Sequence, residues 1–216
     1  MKNVLIFGSS RAGKTTLARR ICQELGYNIA GTNLYVSALI QAYPQLGIKR
    51  FSEIKSTEDY MNSINAVTPF LAHSLCSLAR NSYALNEMNF VSDTEHFNID
   101  VLMPLLDELL LPAKLKKEDI FFFVGLVNAV TREELFSNIK KYDTDHDWTK
   151  NSTDDELHQF CELHHKDAEG MKWLRESFER HNFNIYDTSG DRQKIFSNIV
   201  QDIEIANRRQ DYELHH

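Results

Sequence analysis

Short apolar runs alternate with longer amphipathic stretches along most of the chain. Runs rich in β-branched and aromatic residues occupy positions 4–7, 89–93, 120–127 and 183–186, and a less apolar one covers positions 28–31. The runs at 4–7 and 120–127 contain no polar side chain, a pattern typical of strands that are buried on both faces. We therefore expect five strands with helices between them.

The stretches between these runs place apolar residues at helical spacing. After the first run, Leu17, Ile21 and Leu25 fall on one face of a helix that begins at Lys14 and ends at Gly26. Similar spacing predicts further helices over residues 34–42, 57–80, 99–111, 154–180 and 195–203.

Local signals refine the predicted helices. Pro69 is expected to kink the long helix that contains it or to divide it into two, because proline lacks a backbone donor and clashes with the preceding turn. Thr131 with Glu134, and Thr153 with Glu156, have the spacing of capping boxes, in which the two side chains bind free amides at a helix start.

The alternation of strands and helices predicts an α/β fold. We expect a five-stranded parallel sheet with helices on both faces, joined by right-handed crossovers. A chain of 216 residues suits one domain. Residues 1–216 are therefore interpreted as a single domain with a small, helical, lid-like excursion at about residues 131–155.

Composition and charge exclude several classes of function. Hydrophobic residues make up 42% of the chain and charged residues 25%, as in an ordinary globular protein. A net charge of −7 argues against general binding of a nucleic acid polymer, which requires clustered cations. The chain has neither a membrane-length apolar stretch nor a signal peptide, so we expect a cytoplasmic protein without a membrane partner. The terminal His215 and His216 resemble the remnant of a purification tag.

Cysteines and histidines do not have the spacing of metal sites. Cys22, Cys76 and Cys161 are far apart, which predicts three reduced thiols. His158 and His165 are separated by two helical turns, about 10 Å, which is too far for one zinc ion. We interpret these histidines as surface residues.

The strongest chemical signal lies between the first strand and the first helix. Residues 8–15 consist of a glycine, four residues, and then Gly-Lys-Thr. In such a loop the backbone amides hold phosphate, the lysine faces the β- and γ-phosphates, and the threonine hydroxyl binds Mg²⁺. The sequence therefore predicts a P-loop NTPase fold that binds a nucleoside triphosphate. The predicted contacts are Gly8, Ser9, Ser10, Arg11, Ala12, Gly13, Lys14, Thr15 and Thr16.

The order of elements, together with this loop, resembles that of the small nucleoside and nucleotide kinases, the adenylate kinase-like family. The resemblance covers nearly the whole chain. It implies ATP as phosphoryl donor, Mg²⁺ as cofactor, and a small-molecule acceptor. A nucleoside or nucleotide is the favoured class of acceptor. It also implies that Asp93, at the end of the strand beside the P-loop strand, acts as a base or as a metal ligand with Thr15. Glu95 is the reserve candidate.

The same resemblance implies roles for two segments in the second half of the chain. Arg132 lies in the lid-like excursion, where such kinases carry arginines that clamp the transferred phosphoryl group. The turn after the last strand contains Thr188, Ser189 and Gly190, and its counterpart in the family cradles adenine.

The acceptor half departs from the family pattern. Asn33 replaces an acidic residue that is common at the second strand-to-helix turn, and no Asp-Gly-Phe-Pro-Arg segment follows the third strand. The lid lacks the cysteines of zinc-type lids. Asn33, Arg80 and Glu95 are the candidate acceptor residues, and the identity of the acceptor stays open.

Two other classes of function also stay open. A nucleotide-dependent hydrolase or switch would release phosphate without an acceptor, although the sequence has no Asn-Lys-x-Asp motif for guanine. A non-enzymatic regulatory module would bind nucleotide without turnover. The acceptor-half helices and the lid-like segment favour a kinase, because a switch does not require both. The sequence does not decide between a monomer and a homodimer.

Overall fold

The computed structural model describes residues 1–49, 53–85, 89–94, 97–142 and 148–214. These residues contain one parallel sheet of five strands. The strands are β1 (Asn3–Gly8), β2 (Asn28–Ile29), β3 (Phe90–Asp93), β4 (Phe121–Val127) and β5 (Asn184–Asp187), in the spatial order β2–β3–β1–β4–β5. The predicted five-stranded parallel sheet is confirmed.

Helices connect the strands and flank the sheet. The α-helices of the described residues are α1 (Lys14–Leu25), α2 (Thr32–Ala42), α3 (Thr57–Leu85), α4 (Ile99–Leu110), α5 (Lys117–Ile120), α6 (Arg132–Tyr142), α7 (Asp154–His164), α8 (Ala168–Arg180) and α9 (Arg192–Leu214). Short 3₁₀ turns include Pro44–Leu46, Leu111–Ala113 and Trp148–Asn151. None of the described helices combines the length and apolarity that crossing a bilayer requires.

The pleat of β1 directs alternate side chains into two separate cores. Val4 and Ile6 pack with α1 and α9, whereas Leu5 and Phe7 pack with α3, α4 and α8. All four side chains are buried. A strand with a core on each side needs apolar residues at every position, which is why its run in the sequence is continuous.

The register of the strands brings the carboxyl ends of β1, β3 and β4 to one edge of the sheet. Ile6 is level with Asp93 on β3, and Gly8 is level with Leu126 on β4. Ligands of open parallel sheets bind at this edge, so the fold places any nucleotide site here.

Helix α3 continues through Pro69, which excludes a division into two helices and leaves the kink, the other expected effect, as a prediction. A proline inside a helix costs ~3 kcal/mol, because it removes one hydrogen bond and crowds the preceding turn. Leu71 and Leu75 are buried on the inner face of α3, and each such side chain contributes about 1.5–3 kcal/mol. Packing along the sheet outweighs the local preference.

The predicted helix over residues 154–180 is also wrong, because the structure has two helices there. Helix α7 ends at His164, and His165 has extended backbone angles, φ −66° and ψ 130°. Asp167 then caps α8, since its Oδ1 accepts a hydrogen bond of 2.8 Å from the backbone amide of Gly170. The separation creates a short junction, residues 165–167, between α7 and α8.

Helices α6 and α7 have a small core of their own, which contains Leu135, Ile139, Leu157, Phe160 and Cys161. Hydrogen bonds form both predicted capping boxes, at the starts of α6 and α7. A satellite core of this kind suits a segment that moves as a unit. The role of residues 131–155 as a lid stays a prediction, and positions 143–147 lie outside the described residues.

A buried polar network ties the last helix to the start of the chain. Asn207 on α9 accepts a hydrogen bond of 2.8 Å from the backbone amide of Lys2 and donates one of 3.0 Å to the Tyr27 hydroxyl. That hydroxyl donates in turn to the Lys2 carbonyl at 2.8 Å. The Asn207 side chain therefore satisfies two groups that have little access to water.

Replacing Asn207 with leucine should lower the free energy of unfolding by about 1–3 kcal/mol, because the Lys2 amide loses its acceptor and the buried Tyr27 hydroxyl loses one of its two hydrogen bonds. The matched control is Asn62→Leu on the exposed face of α3, where a change within roughly 0.5 kcal/mol is expected. Urea unfolding followed by far-UV circular dichroism measures both variants. Equal midpoints for the two variants would contradict this account of the network.

Candidate functional site

The loop between β1 and α1 crosses the carboxyl edge of the sheet, and its two glycines are there for steric reasons. Gly13 has φ +91°, and a Cβ at this position would lie 2.7 Å from Cζ of Phe196 on α9. A Cβ on Gly8 would lie 2.5 Å from the carbonyl oxygen of Leu126. Glycine at both positions lets the loop fold closely between β4 and α9.

Lys14 folds back over this loop. Its ammonium donates hydrogen bonds to the carbonyl of Gly8 at 3.2 Å and to that of Ser9 at 2.9 Å, and the residue is buried. The Ser9 hydroxyl is buried as well, and it has no hydrogen-bond partner among the described residues. A buried hydroxyl without a partner costs about 1–3 kcal/mol. The loop thus holds a hydroxyl donor for which a phosphate oxygen can serve as the acceptor.

Thr15 and Asp93 meet at the start of α1. The Thr15 hydroxyl donates a hydrogen bond of 2.5 Å to Oδ2 of Asp93, which stands at the end of β3. A hydroxyl and a carboxylate are oxygen ligands of the kind that Mg²⁺ binds. The described residues contain no group of three or more His, Cys, Asp or Glu side chains suited to a metal. Mg²⁺ keeps several waters and binds substrate phosphates, so this pair fits such a site.

The same edge receives the start of α2. The Thr32 hydroxyl donates a hydrogen bond of 3.3 Å to the backbone carbonyl of Asp93. Thr32 is the first residue of α2, so its neighbour Asn33, which is exposed, also stands beside the end of β3. Glu95, the reserve candidate, lies outside the described residues.

The structure does not bring Arg80 to this edge. Thr68 on α3 accepts a hydrogen bond of 3.0 Å from the backbone amide of Asn98, just beyond the carboxyl end of β3. Twelve helical residues separate Thr68 from Arg80, a distance of about 18 Å along α3 toward the opposite edge of the sheet. The assignment of Arg80 to the acceptor region is therefore corrected. The sequence reasoning failed because it took no account of the direction in which α3 runs.

Two arginines contact the region of the lid-like segment, and only one of them comes from the P-loop. Arg11, in the P-loop with φ 59°, donates a hydrogen bond of 3.2 Å to the hydroxyl of Thr149, which is buried. Arg132 lies at the start of α6, and its half-exposed guanidinium pairs with Glu162 on α7 at 3.5 Å. Arg11, which the sequence suggested only as a loop residue, is thus the arginine that joins the P-loop to this segment.

The turn after β5 lies beside the P-loop because both contact α9. Thr188 is buried, and its backbone amide donates a hydrogen bond of 2.8 Å to the carbonyl of Val127. Ser189 and Gly190 are exposed. Asp191 caps α9 through hydrogen bonds from the next turn. The structure brings the turn to the expected edge, and its contact with adenine stays a prediction.

Asn128 is a site residue that the sequence reasoning missed. It follows β4 directly, is buried, and has no hydrogen-bond partner for either atom of its amide among the described residues. Its position lies between the start of the P-loop and the turn after β5, because Ser9 and Thr188 bond to the two preceding carbonyls of β4. The sequence does carry a signal for Asn128, which is a polar residue directly after an apolar strand run.

A cavity of about 180 Å³ opens beside the P-loop, on the face of the sheet that α3, α4 and α8 cover. Residues 8–10 form one wall, and the β3–α4 connection with Thr94, Phe97 and Asn98 forms another. Tyr60 on α3, with its apolar neighbours, and residues 163–166 close the remaining sides. The loop and the cavity therefore share a wall.

The end of α7 and the α7–α8 junction supply the basic groups of this cavity. His164 and His165 line it with Lys166, so His165 is not the surface residue that the sequence suggested. Nε2 of His165 lies 2.8 Å from the carbonyl of Val130, and the ammonium of Lys166 lies 5.8 Å from the ring centre of Trp173. Burial lowers the pKa of Lys166, and the adjacent Asp167 carboxylate opposes part of this shift.

Comparisons with known proteins identify the fold. No protein-family model matches the sequence, and no curated protein is significantly similar to it. A protein from Chloroflexus aurantiacus J-10-fl, provisionally assigned as a kinase, is 14% identical with a TM-score of 0.50, over 95% of this chain and 98% of its own. This likeness shows the predicted fold, a parallel α/β sheet of the P-loop type.

Two further solved structures match with lower scores. Shikimate kinase from Bacteroides thetaiotaomicron is 13% identical with a TM-score of 0.48, over 96% of this chain and 98% of its own. Deoxyadenosine kinase from M. mycoides, solved with dATP, is 17% identical with a TM-score of 0.41, over 94% of this chain and 100% of its own.

Replacing Gly13 with alanine should weaken binding of Mg·ATP by about tenfold or more, because the left-handed backbone and the Phe196 ring both oppose a Cβ. Isothermal titration calorimetry measures the dissociation constant. The control is Gly26→Ala at the opposite end of α1, where φ is +72° and no atom lies within 4 Å of the added Cβ. It carries a similar backbone strain of about 1–2 kcal/mol. Equal binding by both variants and the wild type would contradict the proposed role of the loop.

Proposed function

We propose that this protein transfers the γ-phosphoryl group of ATP to a small-molecule acceptor in the presence of Mg²⁺. A nucleoside or nucleotide is the preferred class of acceptor. The observation that carries the proposal is the shared wall between the P-loop and the cavity, formed by residues 8–10. Phosphoryl transfer needs a donor site and an acceptor site in contact, whereas a hydrolase or a switch needs no second cavity.

The donor half is proposed to bind ATP through the loop and the turn after β5. The backbone amides of residues 8–16 and the start of α1 attract the phosphates, and Lys14 adds a positive charge. The buried hydroxyl of Ser9 and the buried amide of Asn128 supply further hydrogen bonds. Adenine would lie against the turn of Thr188, Ser189 and Gly190.

Thr15 and Asp93 are proposed to hold Mg²⁺, which would neutralise charge on the β- and γ-phosphates. The resemblance implies either a metal ligand or a base at Asp93. The hydrogen bond between the two side chains favours the role of metal ligand, because the Asp93 carboxylate already faces Thr15, whose hydroxyl binds Mg²⁺ in such sites. Thr15 and Asp93 then act as one unit.

The acceptor is proposed to lie in the cavity, with its hydroxyl toward residues 8–10. Tyr60, Phe97 and Trp173 provide aromatic walls suited to a flat ring. Asn33 and Glu95 remain candidate contacts of the acceptor. Closure of the lid-like segment would exclude water, so that the phosphoryl group reaches the acceptor.

The lid-like segment is proposed to contribute an arginine during closure. Arg11 already bonds to Thr149. Arg132 would have to leave Glu162 to reach a phosphate, and a half-exposed pair of this kind is worth only ~0–1 kcal/mol, so it opens readily.

The three cysteines form no disulfide, which suits the reducing cytoplasm that we propose as the location.

Replacing Lys14 with alanine should reduce phosphoryl transfer at least about a hundredfold, because the ammonium stabilises charge that develops in the transition state. An ATP-consumption screen of nucleosides, nucleoside monophosphates and small hydroxylated metabolites first identifies an acceptor, which is then used with the variant. Lys172→Ala, on the exposed surface of α8, is the control and should retain activity. Transfer by the Lys14 variant near the wild-type rate would overturn the proposal, and so would a wild-type protein that no acceptor stimulates.

Replacing Thr15 with valine, or Asp93 with asparagine, should raise the Mg²⁺ concentration for half-maximal activity by roughly tenfold or more. The double variant should show less than the product of the two effects, because both side chains act on one ion. Thr15→Ser keeps the hydroxyl and serves as the control. Activity measured across a Mg²⁺ titration tests this, and independent, multiplicative effects would show that the two residues do not share a metal.

A further inference from the structure

Lys166 is a cation of the cavity wall that forms no salt bridge with the described residues. It lies in the α7–α8 junction, half-buried, and lines the cavity beside the P-loop. No carboxylate of the described residues lies within salt-bridge distance of its ammonium. The adjacent Asp167 is already engaged, because its Oδ1 caps α8 through the amide of Gly170.

The surroundings of Lys166 compensate its charge only in part. The ammonium lies 5.8 Å from the centre of the Trp173 ring, a cation–π contact worth about 0.5–1 kcal/mol at a partly exposed site. Burial nevertheless lowers the pKa of Lys166, which means that the surroundings disfavour the charged form. An anion placed against the ammonium would reverse this effect.

Apart from the Tyr60 phenol, the other titratable groups of the cavity wall are histidines. His164 and His165 precede Lys166, and the described wall contains no Asp or Glu. Nε2 of His165 donates to the carbonyl of Val130, which leaves Nδ1 as the second polar atom of the ring. The assignment of this proton follows from the carbonyl, which can only accept. A cavity with such a wall favours a negatively charged occupant.

We infer that the acceptor carries an anionic group, a phosphate or a carboxylate, that binds to Lys166 beside His164 and His165. The acceptor hydroxyl then points toward residues 8–10 at the other wall, where the donor phosphate arrives. This inference rests on the proposed phosphoryl transfer and narrows its acceptor class. Neutral nucleosides and neutral sugars would leave the ammonium of Lys166 without a partner.

Binding can be measured without turnover, because Trp173 lies at the site. Trp148→Phe leaves Trp173 as the remaining tryptophan of the full-length chain. Its fluorescence is followed with the donor site filled by Mg²⁺ and a non-hydrolysable ATP analogue. The probes are two matched pairs: AMP with adenosine tests a phosphate, and gluconate with glucose tests a carboxylate.

In this background the anionic member of at least one pair should bind about tenfold or more tightly than its neutral partner, as a charge-assisted hydrogen bond implies. Lys166→Met should abolish that preference and leave the neutral member unchanged. Lys166→Arg should keep it. Lys172→Met, six residues further along on the exposed surface of α8, is the matched control and should behave as the parent protein. Unchanged binding of the ATP analogue shows that each variant is folded.

Three results would overturn the inference. They are an anionic preference that survives in Lys166→Met, a preference for the neutral member of both pairs, and no binding of either anionic probe at about 1 mM, the upper end of common Michaelis constants. The pair that shows the preference identifies the anion as phosphate or carboxylate.

A parallel assay of ATP consumption by the wild-type chain separates this inference from the proposed function. Binding of an anionic probe that depends on Lys166, without transfer to any acceptor, would overturn the proposed function and support the anion site. Transfer to neutral acceptors at rates unaffected by Lys166→Met would support the proposed function and overturn the anion site.

Discussion

The parallel pairing of β1 with its two neighbours is the constraint on which the site depends. Backbone hydrogen bonds continue this pairing past the strand ends, from Ser9 to Leu126 at 3.3 Å and from Thr94 to Ile6 at 3.1 Å. They hold the start of the P-loop and the end of β3 at a fixed separation. The short bond between Thr15 and Asp93 is a consequence, since the two residues come from segments that only this register brings together. A slip of one residue would turn every buried side chain of β1 to the wrong core.

The two cores, one on each face of the sheet, position different parts of the candidate site. On one face, α1 and α9 place the P-loop and press Phe196 against Gly13. On the other face, α3, α4 and α8 leave the cavity open at the carboxyl edge. Because the loop leaves the central strand between these faces, its first residues belong to both the proposed phosphate site and the cavity. In the proposed function, donor and acceptor therefore approach from opposite sides of one loop.

The sequence predicted what depends on neighbouring residues in the chain. The strands and both capping boxes are local patterns, and each was found within two residues of its expected position. Two predictions about α3 that depended on its packing and direction failed. Buried leucines keep α3 continuous through Pro69, and the direction of that helix carries Arg80 away from the site. His165 and Lys166 were missed because the break after α7, which turns them into the cavity, follows from packing and not from periodicity.

The distribution of charge around residues 8–10 bears on the choice between transfer and hydrolysis. Lys14 lies on the loop itself, and Lys166 lies across the cavity. Lys166 faces a small, partly apolar space, and its charge is more favourable when an anion lies beside it. In the proposed function the donor phosphates lie beside Lys14, but in hydrolysis only water would meet Lys166. An acceptor with its own negative group would lie beside Lys166 and fill the space that water would otherwise occupy. The position of Lys166 therefore makes most physical sense in a protein whose reaction has two anionic partners.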